Sequence, residues 1–266
     1  MTSLSLAVRD SATMLRRNLK RQFATLFMFQ LSIPVVMLLL FVFVFGETMG
    51  AGLPGTASAG LTGRAAYLGY VTPAIVLMTI IGGAQNVAIG VAMDMKEGII
   101  DRFRTMAIAR VSVLTGHVLG SLVQTMIAVP LVLGLAILLG FRTSAGPLDW
   151  LLILAAVAAI TLAMTWLSVA MGLASKTVEG ASNAPMPLFL LPFLGSGFVP
   201  PESMPTAMRW FAEYQPLTPV IDLLRASFSG TPVGNAGWLT VAWSVVIGLG
   251  GYLWARRAYN RGPRAA

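Results

Sequence analysis

Long stretches without charge alternate with short charged segments along this chain. Residues 65–93 and residues 111–141 contain no Asp, Glu, Lys or Arg. Each stretch exceeds the roughly 20 residues that an α-helix needs to cross the apolar core of a bilayer. The pattern predicts an all-α, polytopic membrane protein whose membrane domain covers residues 23–256. Its six transmembrane helices are predicted at residues 23–45, 67–92, 113–139, 150–174, 181–199 and 237–255.

The basic residues lie mostly on one side of these predicted spans. Residues 1–22 are basic and carry apolar side chains near helical spacing, which predicts an amphipathic helix in the membrane interface. Residues 257–266 form a basic tail. With six spans, 14 of the 18 Lys and Arg residues fall on the side that holds both termini. Because cytoplasmic loops carry the excess of positive charge, both termini are predicted to be cytoplasmic.

A charged segment, residues 94–110, separates the second and third spans. Asp94, Glu97 and Asp101 recur at i, i+3 and i+7, so they share one helical face, with apolar residues opposite. This spacing predicts an amphipathic helix along the membrane surface. The acidic face either is solvated, as most charge clusters are, or binds a cationic partner protein. The spacing alone leaves both interpretations open.

A second unusual segment, residues 200–225, follows the fifth span on the side opposite the termini. Proline removes a backbone donor and kinks or breaks a helix, so closely spaced prolines divide this segment into short pieces. Thr218 followed by Pro219 is typical of a cap and first helical turn. The segment is predicted to form two short helices that re-enter the outer leaflet as a hairpin. After its first residue, Pro200, its prolines are Pro201, Pro205, Pro216 and Pro219, and the preceding span is itself interrupted by Pro185, Pro187 and Pro192.

Few polar side chains occur within the predicted spans. Gln85 and Asn86 are expected to hydrogen-bond to a neighbouring helix. His117 is interpreted as a buried, hydrogen-bonded imidazole rather than a proton relay. Ser196 lacks a base, because His117 lies near the opposite end of its span, and this argues against a hydrolase. All ten acidic residues lie outside the predicted spans, which argues against a self-powered antiporter.

Composition narrows the classes further. The chain of 266 residues is 56% hydrophobic and 11% charged, with a mean hydropathy of +0.79. Without cysteine and with a single histidine, it offers no zinc-ligand cluster. The net charge of +8 flanks the spans and therefore does not indicate nucleic acid. Residues 170–177 lack both glycines of a phosphate-binding loop, so no cofactor is expected on this chain and any ATP hydrolysis must occur on another.

Two motifs give the chain a family resemblance. EGIIDRFRTMAIAR, residues 97–110, is similar to the cytoplasmic coupling segment of type-2 ABC transporter permeases, especially the daunorubicin/doxorubicin-resistance type. GFVPPESMPTAMRWFAEYQPLTPVIDLLR, residues 197–225, is similar to the external re-entrant hairpin of these permeases. The order of the spans agrees over nearly the whole length. One departure is Ala107, which stands where the family often has proline.

The resemblance implies a permease subunit of an ATP-driven exporter in a bacterial plasma membrane. A cytoplasmic ATP-binding subunit, carrying ATP and Mg, would dock on a coupling helix within residues 93–112, and a second copy or a homologous permease would complete a dimer. The cargo would be hydrophobic or amphiphilic: a drug, a lipid or a glycolipid. An ATPase-independent secondary carrier or channel is the alternative. The implied ATPase contacts are Glu97, Gly98, Asp101, Arg102, Phe103 and Arg104.

Overall fold

The computed structural model describes residues 28, 30–53, 63–98 and 112–260. The predicted interfacial helix, most of the predicted coupling segment and residues 261–266 lie outside this part of the chain. The described residues form helices, and no strand occurs among them. The helices are α1 (Gln30–Ala51, with a π-helical turn at Phe41–Phe45), α2 (Gly63–Lys96), α3 (Ser112–Leu138), α4 (Pro147–Ala174), α5 (Val178–Asn183), α6 (Met186–Leu190), α7 (Thr206–Tyr214), α8 (Thr218–Ser229) and α9 (Ala236–Asn260).

Five of these helices, α1, α2, α3, α4 and α9, are long and apolar enough to cross a membrane. They correspond to five of the six predicted spans. The structure extends α2 through Lys96, four residues beyond the predicted end of the second span. It also continues α9 to Asn260, so the first residues of the predicted basic tail are helical.

The predicted fifth span is not one continuous helix. Its residues form α5 and α6, followed by turns up to residue 198. The Gln85 amide of α2 donates to the Ser182 carbonyl, and the Tyr67 hydroxyl donates to the Phe198 carbonyl. Gln85 and Tyr67 are 18 residues apart in one helix, which corresponds to about 27 Å along its axis. Residues 182–198 therefore run beside α2 over nearly the depth of a bilayer core, although no single helix does so.

Helix α2 is the central element of the fold. It has 34 residues. In an apolar stretch of 18 residues within it, 89% of the residues are buried, whereas only 17% are buried in the equivalent stretch of α9. It packs against α3, α4, α5, α8 and the end of α1. The larger buried cluster contains residues of α1, α2, α3, α4 and α8, whereas α9, which packs mainly on α4, contributes Ala255 and Tyr259 to a second buried cluster with α2, α3 and α4. Helix α2 therefore connects most of the described helices of the bundle.

One buried amide joins α1 to the centre of the bundle. Gln30 is 1% exposed, and its Nε2 donates to the Thr79 carbonyl at 3.1 Å and to the Thr125 hydroxyl at 3.2 Å. The Gln30 Oε1 atom is buried without a hydrogen-bond partner. Gly83 makes room for this amide, because a Cβ there would lie 2.6 Å from Gln30 Nε2. The two hydrogen bonds are thus accompanied by one desolvated, unpaired oxygen.

We expect Gln30→Leu to change the free energy of unfolding by only about 1 kcal/mol, because it removes the unpaired oxygen together with both hydrogen bonds. Thr125→Val, which leaves the Gln30 amide in place, should cost at least as much. Denaturant titration of the purified protein in detergent would compare the two variants. A much larger loss for Gln30→Leu would contradict this account of the Oε1 atom.

Candidate functional site

A polar cluster at the N-terminal end of α2 is centred on Arg225 of α8. Its Nη2 donates to the Ser196 carbonyl at 2.6 Å and to the Tyr70 carbonyl at 3.4 Å. Its guanidinium carbon lies 4.0 Å from the centroid of the Tyr70 ring, which is within the range of a cation–π interaction. We call Tyr70, Ser196, Asp222 and Arg225 the hairpin cluster. It connects α2, α8 and the turn that follows α6.

Asp222 completes the hairpin cluster. Its Oδ1 accepts from the Ser196 hydroxyl at 2.7 Å and from Arg225 Nη1 at 2.9 Å. Partial burial raises the pKa of Asp222 above its ordinary value, and this effect outweighs the lowering by Ser196 and Arg225. Ser196 therefore has a carboxylate partner, and its hydroxyl and carbonyl both hold the turn against α8.

Close approach of the turn to the hairpin depends on Gly195. A Cβ there would overlap the Gln215 amide and would lie 2.8 Å from the Thr218 hydroxyl. The Gln215 Nε2 atom donates to the Leu191 carbonyl at 2.9 Å, so the same amide also satisfies the backbone after α6. Gly195 therefore allows the turn to pack closely against the hairpin.

The outer segment forms two short helices, α7 and α8, as predicted. Pro201 begins a short 3-10 turn, Pro205 precedes α7, and Pro219 lies in the first turn of α8. Pro216 lies in the three-residue connection between the helices, residues 215–217. The predicted capping role of Thr218 is wrong: Thr218 is already helical, and its hydroxyl donates to the Ala212 carbonyl at 2.6 Å.

Helix α7 is exposed along most of its length. Of its residues only Ala212 is buried. Large apolar side chains face outward, which is typical of a surface in contact with lipid or another protein. The depth of this hairpin in a membrane remains a prediction. The exposed apolar residues are Met208, Trp210, Phe211 and Tyr214.

At the other end of α2, Asp94 forms a buried pair with His117 of α3. The Asp94 Oδ2 and His117 Nε2 atoms are 3.0 Å apart, and the two side chains are 7% and 4% exposed. The prediction of a buried, hydrogen-bonded His117 is confirmed. The placement of Asp94 on a surface face with Glu97 and Asp101 is wrong, because α2 continues to Lys96 and turns this carboxylate toward α3. An acidic residue thus does lie inside a spanning helix, in its last turn.

Glu97 and Gly98 follow α2 directly. The Glu97 side chain is exposed, and the Glu97 N–H donates to the Met93 carbonyl at 2.9 Å. Gly98 has a φ of +66°, the left-handed conformation that ends many helices and favours glycine. The other predicted ATPase contacts, Asp101, Arg102, Phe103 and Arg104, lie outside the described residues.

The short turn between α4 and α5 lies beside the same end of α2. Thr177 caps α5, since its Oγ1 accepts from the Gly180 N–H at 3.0 Å. Backbone and Thr177 hydrogen bonds lower the pKa of Glu179 in the first turn. The bond from Gln85 to Ser182 fixes α5 to α2, as expected for an amide within a span. The turn between α4 and α5 thus lies beside the end of α2 at which the predicted docking segment begins.

Sequence reasoning missed the pairing of Ser196 with Asp222 and Arg225, and of Asp94 with His117. Asp222 and Arg225 are three residues apart, so their proximity was readable from the sequence. The other contacts join residues 23 to 155 positions apart. No group of three or more His, Cys, Asp or Glu residues that could hold a metal ion occurs in the described ranges.

Five long apolar helices, with the largely buried α2 at their centre, define the described part of the chain as a multi-pass membrane protein. The sequence profile of the ABC-2 type transporter family matches residues 11–229. The chain belongs to this family.

Two curated relatives are similar to the chain. The daunorubicin resistance ABC transporter permease protein DrrB1 of Streptomyces coeruleorubidus is 26% identical over 199 residues, covering 74% of this chain and 66% of the relative. The probable doxorubicin resistance ABC transporter permease protein DrrC of Mycobacterium tuberculosis is 24% identical over 163 residues, covering 61% of this chain and 59% of the relative. The matched part of the chain thus spans less than two thirds of either relative.

Proposed function

We propose that this chain is the membrane-spanning permease subunit of an ATP-driven exporter, powered by a separate ATP-binding subunit that docks on residues 93–112. Membership in the ABC-2 type transporter family supports this proposal. The observation that carries it is the position of α2. Its C-terminal end leads into the proposed docking segment, and its N-terminal end is bound to the hairpin cluster.

A continuous helix can transmit a displacement from one end to the other. The 34 residues of α2 extend about 51 Å, more than the thickness of a bilayer core. Movement of the segment after Glu97 would therefore displace Tyr70, whose carbonyl accepts a hydrogen bond from Arg225 of the hairpin. Because Asp94 is bound to His117, such a movement would also shift α3. ATP-driven closure of two partner subunits would then change access to the bundle.

The proposed topology has six crossings. Residues 182–198, which run beside α2, serve as the fifth crossing in broken form, and α9 is the sixth. Both termini are cytoplasmic, residues 1–22 lie in the interface, and α7 and α8 re-enter the outer leaflet. A second copy or a homologous permease completes the transporter in a bacterial plasma membrane.

The proposed cargo is hydrophobic or amphiphilic, such as a drug, a lipid or a glycolipid. The spanning helices expose large apolar side chains, including methionine and phenylalanine, and carry almost no charge. Such surfaces favour apolar ligands, because a polar or charged cargo would lose hydration without gaining hydrogen bonds. The names of the two relatives refer to resistance to the drugs daunorubicin and doxorubicin, which supports a drug as one candidate.

The double charge reversal Glu97→Lys and Asp101→Lys tests the docking proposal. We expect the variant to insert and fold normally, because Glu97 is exposed at the end of α2. Cargo-stimulated hydrolysis by the ATP-binding subunit and transport into vesicles should both fall to near background. Co-purification of the two subunits measures docking directly.

The matched control is Glu202→Lys and Glu213→Lys. These two exposed acids lie on the outer segment, at the far end of α2 from residue 97, and the net charge changes by the same amount. The control should keep stimulation by the partner. Unchanged stimulation in the Glu97 and Asp101 variant would contradict the proposed docking segment.

The alternative, an ATPase-independent carrier, is favoured by one observation, the buried Asp94–His117 pair. Titratable side chains inside spans occur in proton-coupled carriers. Purified protein that moves cargo down an imposed proton gradient, without any ATPase, would support this alternative. Transport that requires both the partner subunit and ATP would exclude it.

A further inference from the structure

An apolar groove runs along the contact between α4 and α9. The two helices lie parallel and very close, because Gly251 faces the backbone of Leu167 and Gly248 faces Ala163. Beside this contact the two helices enclose a groove of about 370 Å³, and its lining is almost entirely apolar. This volume is in the range of small-ligand sites. The groove is open to the surroundings of the bundle, where α9 is mostly exposed.

The length of the groove corresponds to an extended hydrocarbon chain. It extends along α9 from Val241 to Tyr252, eleven residues or about 16 Å. That is about half the thickness of a bilayer core. The edge-to-face pair of Trp166 and Tyr252, with centroids 5.0 Å apart, lies at its C-terminal end. Ser244 also lines the groove, and its buried hydroxyl has no hydrogen-bond partner among the described residues. Rotation of a helical serine side chain brings its hydroxyl to the carbonyl four residues back, so an apolar occupant does not need to supply a polar group.

Two arginines follow the C-terminal end of the groove. Arg256 is four residues after Tyr252, so it lies on the same helical face one turn further along, and Arg257 is adjacent. Both side chains are exposed. Arginine binds phosphate through its planar, charged donors, and basic residues at the cytoplasmic surface attract anionic lipids. An apolar groove that ends in two cationic side chains is complementary to an anionic lipid.

We propose that this groove binds one acyl chain of an anionic phospholipid from the leaflet next to Arg256, with the lipid phosphate held by Arg256 and Arg257. A cationic amphiphile would be repelled by the same arginines, and a zwitterionic lipid would gain less from them. The bound lipid lies in the angle between α4 and α9 and stabilises the packing of α9. This site does not involve an ATP-binding partner, so it is tested on the purified chain alone.

Native mass spectrometry of the delipidated full chain, titrated with phosphatidylglycerol or with phosphatidylcholine of the same acyl chains, tests the site. We expect one tightly retained phosphatidylglycerol. Arg256→Ala and Arg257→Ala should each weaken its retention about fivefold, as expected for loss of one basic side chain near an anionic headgroup. Equal retention of the two lipids would overturn the proposal.

A pair of adjacent valines provides a matched test of the groove itself. Val245 lines the groove, whereas Val246 does not, and the two are 51% and 59% exposed. Val245→Trp should fill the groove and abolish retention of phosphatidylglycerol, while Val246→Trp should leave it unchanged. If Val245→Trp does not fold, Leu249→Trp and Leu253→Trp make the same comparison, because Leu249 lines the groove, Leu253 does not, and the two are 58% and 49% exposed. Retention in both groove-filling variants, or cross-linking that finds a second copy of the chain in the groove, would overturn the proposal.

Discussion

Asp94→Leu is expected to lower the free energy of unfolding by about 2–4 kcal/mol, because His117 would remain buried without its carboxylate partner. The two side chains join the last turn of α2 to the first part of α3. Loss of this contact should also weaken the connection between the docking segment and α3, and it should reduce transport in proteoliposomes. Denaturant titration in detergent measures the first effect, and partner-stimulated ATP hydrolysis measures the second.

A double-mutant cycle with His117→Leu isolates the contact between the two side chains. The double variant should be markedly less destabilised than the sum of the two single variants, since it leaves neither group buried alone. Asp94→Asn keeps a hydrogen-bonding group of similar shape and should cost less than half as much as Asp94→Leu. Additive effects of the two leucine substitutions would show that the 3.0 Å contact does not stabilise the protein.

Arg225→Leu is expected to cost about 2–3 kcal/mol, because it removes the bonds to the Ser196 carbonyl and to Asp222 and leaves that carboxylate without its cation. The hairpin would lose its attachment to Tyr70. Transport should therefore fall even where the protein remains folded. Thermal unfolding in detergent and transport assays in proteoliposomes measure the two effects separately.

Arg209 provides the matched control for Arg225. It also pairs with an acid on the hairpin, Glu213, with 2.6 Å between Nε and Oε1. The acids Glu213 and Asp222 are equally exposed, at 41%, but Arg209 is 48% exposed and Arg225 only 24%. Exposed ion pairs contribute little, so Arg209→Leu should change stability by less than about 1 kcal/mol. Equal losses for the two arginine variants would indicate that charge alone, rather than the cluster at Tyr70, stabilises the hairpin.

The two variants act at opposite ends of one helix, and this gives them a common functional interpretation. In the proposed mechanism α2 connects the docking segment with the hairpin. Asp94→Leu should then weaken the response to the partner subunit, whereas Arg225→Leu should preserve that response but uncouple it from cargo movement. The distinction is measurable as the ratio of ATP hydrolysed to cargo transported.

Hydropathy by itself determined the class of the protein and most of its long helices. Uncharged stretches of about 20 residues have few alternatives to a transmembrane helix, because backbone polar groups must be paired inside a bilayer. The same reasoning placed His117 in a buried hydrogen bond and divided the outer segment into two helices. Proline positions were informative there, since proline removes a donor and fixes one dihedral angle.

Only the tertiary structure decided which polar groups meet. Asp94 belonged by spacing to an acidic surface face, yet the added turn of α2 brings it to His117. The predicted fifth span divides into α5, α6 and turns at its prolines, and the Gln85 and Gln215 amides donate to carbonyls of the interrupted segment. The hairpin cluster joins residues up to 155 positions apart. Local spacing determines which residues share a helix face. Which other helix packs against that face depends on contacts between distant segments, and the pattern of hydrophobic and polar residues does not specify these contacts.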